Sequence, residues 1–68
     1  MSYLQRLVDA QNADLHAARS YIERAEAEKR ELSVEERTAW DALNKQIDDR
    51  ADHIAEVQRD EQRDHAVA

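Results

Sequence analysis

From Leu4 onward the chain sets residues at alternating steps of four and three: Leu4, Val8, Gln11, Leu15, Ala18, Ile22, Ala25, Lys29 and Leu32. An α-helix gathers such positions into one narrow stripe, and a seven-residue repeat keeps that stripe turned toward a partner helix. Gln11 and Lys29 interrupt its apolar character. The second half repeats the spacing with Trp40, Leu43, Ile47, Arg50, Ile54 and Val57, then turns acidic at Glu61 and Asp64. Two helices with one stripe each are expected to pack on one another or on other chains.

The residues that could build anything else are missing. Glycine, proline, cysteine and phenylalanine are all absent. Without glycine and proline the chain has little turn chemistry, so sheets and loop-built active sites are not expected. Without cysteine no disulfide can staple so short a chain. Of 28 hydrophobic residues, twelve are alanine, charged residues reach 38%, and mean hydropathy is −1.00. That composition suits long, solvated helix.

Helix boundaries can be placed from local signals. Ser33 followed three residues later by Glu36 is a capping box, in which each residue's side chain accepts from the other's free backbone N–H at a helix start. Glu35 and Glu36 add negative charge at the positive end of that second helix. Lys29 and Arg30 suit the closing turn of the first. The chain is therefore expected to be all-α: one domain over residues 1–68, an antiparallel two-helix coiled-coil hairpin that oligomerises. Helix 1 would run over about residues 2–31, the turn over 31–33, and helix 2 over 34–64; a single continuous helix is the alternative.

With that turn, residues whose numbers sum to about 67 share a level. Ile22 then lies near Leu43 and Ile47, Leu15 near Ile54, and Ala25 near Trp40. The expected hairpin seam is Leu15, Ala18, Ile22, Ala25, Trp40, Leu43, Ile47, Ile54 and Val57. At the open end Leu4 and Val8 would face Glu61 and Asp64. Tyr3, Leu4, Leu7 and Val8 are accordingly expected to form an apolar patch for self-association. Arg50 could reach past the first helix to Asp14, and Gln11 could help to fix register, since polar seam residues select orientation at some cost in stability.

Catalytic chemistry finds no support. His16 points away from the seam, His53 lies at its edge, and no ligand spacing joins them with His65. Asp48, Asp49 and Asp52 sit mid-helix, where a calcium loop with its glycine turn has no place. No catalytic, cofactor-binding or metal-ligating residue is assigned, and neither an enzyme, a cofactor nor a small-molecule substrate is expected. The net charge of −6 repels nucleic-acid phosphate. Its excess lies in residues 33–68, with five bases and ten acids. No apolar run approaches the roughly 20 residues that span a bilayer. The N-terminal MSYLQRLVDAQ lacks the apolar core of a secretory signal. These features predict a soluble, intracellular protein-binding chain without nucleic-acid or membrane partners.

The stretch Ala25-Glu26-Ala27-Glu28-Lys29-Arg30-Glu31-Leu32-Ser33-Val34-Glu35-Glu36 is followed by Trp40-Asp41-Ala42-Leu43 and then Ile47-Asp48. It resembles the N-terminal helical region of major capsid proteins of tailed phages with the Hong Kong 97-type fold. In that family a first helix often ends in a basic stretch and Leu-Thr/Ser-x-Glu-Glu, followed by aromatic-Asp-x-Leu and Ile-Asp. Ser33 stands for the usual Ser or Thr, and Trp40 for the commoner Phe or Tyr. No capsid-sized body follows within these residues, so the resemblance implies an excised or separately made segment.

The resemblance implies a delta, or scaffolding, domain. Its partners would be copies of itself, capsid subunits, and the maturation protease that commonly removes it. Its place would be the interior of the procapsid in the host cytoplasm. A stand-alone coiled-coil adaptor or regulator docking on another protein is the alternative reading.

Overall fold

The structure, a computed structural model, describes residues 2–67, with side chains for residues 2–63. It is all-helical over these residues, with two elements: α1 (Tyr3–Ala27) and α2 (Val34–Val67). Both begin at serine caps. The Ser2 hydroxyl accepts from the Gln5 amide at 3.0 Å. At α2 the Glu36 amide donates to Ser33 Oγ at 3.1 Å, and the Ser33 amide donates to Glu36 Oε1 at 2.9 Å. Two otherwise free donors are thereby satisfied by one another's side chains. Arg37–Asp41 and Lys45–Asp49 ion pairs lace the solvent side of α2 at four-residue spacing.

The first helix stops at Ala27, earlier than the basic closing turn suggests. Glu28 caps it and Lys29 enters the left-handed region at φ 53°. From there the Lys29 amide donates to the Glu26 carbonyl at 3.1 Å and the Arg30 amide to the Ala25 carbonyl at 3.0 Å. This is a complete Schellman closure, with lysine where glycine is usual. Residues 28–33 form the connection, so the expected extension of helix 1 to about residue 31 and the three-residue turn at 31–33 are corrected. Helix 2 runs to Val67 where about 64 was expected.

The helices run antiparallel, and cross-helix bonds give the register. The Tyr3 hydroxyl and His53 Nε2 share a hydrogen bond of 2.8 Å. Gln11 Nε2 donates to the Ile47 carbonyl at 2.7 Å, and Arg50 donates to Gln11 Oε1 at 3.1 Å. With α1 ending at Ala27 and α2 starting at Val34, residues whose numbers sum to about 61 share a level. The expected sum of 67 is therefore about six residues too large along α2. The reason is local: the Schellman closure ends α1 a full turn early, and α2 moves with it.

Two residues are buried among those described, Ala18 and Ala25, each 7% exposed. Apart from the exposed Leu15 and Ile22, the rest of the seam is half-buried. The core is thus a strip of close helix approach at two alanines, without a large side chain sealed inside it.

Candidate interaction surface

On α2 the seam positions Trp40, Leu43, Ile47, Arg50, Ile54 and Val57 are all half-buried and turned toward α1. On α1 the inward row differs from the heptad row. Leu4, Leu7, Gln11, Asp14, Ala18, Tyr21 and Ala25 are buried or half-buried, while Leu15 and Ile22 are 43% and 41% exposed. Leu15 and Ile22 as closed seam residues are therefore corrected: they lie on its rim. Arg50 supplies the physical reason. Its guanidinium, in the middle of the seam, needs a carboxylate out of bulk water, and it bonds Asp14 Oδ2 at 2.6 Å. Turning α1 to bring Asp14 inward carries Leu15 and Ile22 outward, because adjacent residues on a helix are offset by about 100°.

At the open end α2 partly covers the residues of the expected patch. Leu4, Leu7 and Val8 are half-buried, and Tyr3, at 51% exposure, is tied to His53. The register of about 61 brings Leu4 and Val8 level with Val57 and Ile54. Glu61 and Asp64 are not opposite them. The hairpin finishes its apolar seam at this end, and α2 continues past it, with 34 residues against 25 in α1.

Besides Tyr3, the exposed large apolar side chains among the described residues are Leu15, Ile22 and Val34. Ile22, Ala25, Leu32 and Trp40 line a shallow groove where the connection folds over the two helices, with Glu26, Arg30, Glu31 and Arg37 around it. The Arg37 guanidinium lies 5.5 Å from the centre of the Trp40 ring and covers part of it. Leu15 extends the apolar row of Ile22 along α1, two turns away on the same face. Val34 at the tip of the hairpin is 84% exposed. Neither the outward turn of Leu15 and Ile22 nor this groove was read from the sequence. The Asp14–Arg50 pairing was the signal that could have found them.

Ser33 and Glu36 serve the connection. Arg30 clamps Glu36 with two bonds, of 2.7 and 3.2 Å, and reaches Glu28 at 2.8 Å and the Glu31 carbonyl at 3.1 Å. The guanidinium bonds, followed by the Ser33 amide, hold the Glu36 carboxyl at about 2, below its ordinary 4.5. The same two carboxylates, Glu36 first, push the Arg30 guanidinium upward. A charged clasp thus locks the connection that glycine would otherwise shape.

His16 is exposed, and its carbonyl accepts from Ser20; His53 pairs with Tyr3 at the far end of the hairpin. The side chain of His65 lies outside the described residues. Among the described residues no three His, Asp or Glu side chains converge as a metal site requires. No helix among them is long and apolar enough to cross a membrane. Comparison with protein-family models, curated proteins and solved structures gives no match to this chain.

Proposed function

We propose that this hairpin is a scaffolding or assembly domain, of the kind carried at the N-terminus of a Hong Kong 97-type phage major capsid protein. It acts by helical self-association during procapsid assembly and serves the maturation protease as a substrate. One observation carries the assembly reading. Leu15 and Ile22 stand 43% and 41% exposed on one face, while the buried core among the described residues amounts to two alanines. A chain of 68 residues with so small a core is expected to gain stability by association. The capsid assignment rests on the resemblance of residues 25–48 to that family's helical region. Weak contacts between free copies become strong when many copies are tethered to one shell, and each remains weak enough to correct and remove.

Sedimentation velocity from low to high micromolar concentration tests the reading. Concentration-dependent oligomers are expected. A fully helical chain that stays a strict monomer at high micromolar concentration refutes self-association and leaves the adaptor reading in its place.

A further inference from the structure

We propose that two copies of the hairpin pair face to face through the Leu15–Ile22–Trp40 surface. The two-fold axis runs parallel to the helices, so that α1 of each copy lies on α2 of the other. The inference rests on the assembly reading and adds the surface, the stoichiometry and the geometry.

The charges at the edges of this face set the orientation. On α1, Arg19 is followed by Glu23 and Glu26; all three are exposed, and none has an ion-pair partner among the described residues. On α2, Arg37 and Asp41 are exposed and bond only one another at 3.1 Å. In an antiparallel pair the like-handed flanks of both helices meet on one side of the hairpin, as the groove lined by Ile22, Glu26, Arg37 and Trp40 demonstrates. By the register of about 61, Arg19 lies level with Asp41, and Glu23 and Glu26 lie level with Arg37. Over residues 19–26 of α1 and 37–41 of α2 the two edges therefore carry opposite signs.

A two-fold axis along the hairpin preserves height and exchanges the edges. Arg19 of each copy then meets Asp41 of the second copy, and Glu26 meets Arg37. The same rotation sets Ile22 against the second copy's Trp40 and Leu15 against its Ile47. An axis perpendicular to the helices could pair Arg19 with Glu26, but only if centred near Ile22. The hairpins would then overlap over a short stretch at their tips, and Leu15 would meet the charged connection. The parallel arrangement uses the whole paired length of the hairpin, about 37 Å over the 25 residues of α1. The contact is isologous and closes at two copies.

Sedimentation equilibrium of the whole chain tests this, with helicity followed by circular dichroism at matched concentrations. Arg19→Glu and Asp41→Arg should each raise the dimer Kd by about tenfold, since each sets like charges together twice per dimer. Mixing the two variants should return the Kd to within a few-fold of wild type, because every contact in the mixed dimer is again of opposite sign. Leu15→Ser should weaken the dimer while leaving helicity unchanged. Wild-type association with no rescue on mixing overturns this interface and leaves the assembly reading standing. A monomeric wild type overturns both.

Discussion

Lys29→Gly tests the connection, and its sign separates a hairpin from a continuous helix. Lys29 sits at φ 53°. The left-handed region costs a residue with a Cβ about 1–2 kcal/mol. Glycine adopts it freely but loses about 0.5–1 kcal/mol more backbone entropy on folding. The net expectation is a hairpin more stable by about 0.5–1 kcal/mol, or a rise of roughly 2–8 °C in Tm for a chain of this size. In an uninterrupted helix through residues 28–33 the same substitution would cost about 1 kcal/mol, because glycine is a poor helix former. Thermal melts followed by circular dichroism decide it, run at one fixed concentration because association makes Tm concentration-dependent. Lys29→Ala isolates the loss of the charged side chain and should leave Tm nearly unchanged. A lower Tm for Lys29→Gly would refute the left-handed cap and the register built on it.

Three further expectations concern the seam and the connection. Asp14→Ala strands the half-buried Arg50 and should destabilise by about 1–2 kcal/mol, read as a fall in the urea midpoint at unchanged slope. Leu7→Ala should lower the stability of the monomer itself by about 1–2 kcal/mol for a half-buried leucine, whereas a free patch would show the change in association alone. Glu36 gives a pH dependence. Its carboxyl sits at about 2 in the fold against an ordinary 4.5, so its contribution is complete above 4.5 and is lost as the pH falls toward 2. The difference in urea midpoint between wild type and Glu36→Gln should be constant above that window and shrink through it. A difference independent of pH would refute the Arg30 clasp.

Local signals were legible and long-range ones were not. The helical class follows from spacing that involves only neighbours in sequence, and the second helix's start from two residues, Ser33 and Glu36, whose partners lie three residues apart. The end of α1 was hidden because its marker is a backbone conformation that glycine usually announces, and here lysine adopts it. That local difference moved the register by about six residues and set Val57 and Ile54, in place of Glu61 and Asp64, level with Leu4 and Val8. The rotation of α1 was hidden for another reason. The rows Leu4-Val8-Gln11-Leu15 and Leu4-Leu7-Gln11-Asp14 both step by three and four. Periodicity cannot choose between them, and Arg50, 36 residues beyond Asp14, does.

The ion pair that fixes the hairpin therefore also creates its candidate interaction surface. Burying Asp14 beside Arg50 exposes Leu15 and Ile22, so specificity within the hairpin and adhesion between hairpins share one cause. Replacing Asp14 and Arg50 together by leucine removes it. A partly buried ion pair is often matched or exceeded in stability by apolar residues of similar size. The double variant should be as stable as wild type or more so, with α1 free to turn its apolar row inward. Leu15 and Ile22 would then close against α2, and association through them should weaken even though neither residue was changed. Sedimentation and urea unfolding on the same samples read both sides of this coupling. A variant that gains stability and still associates as wild type does would separate the two properties and sink the common cause.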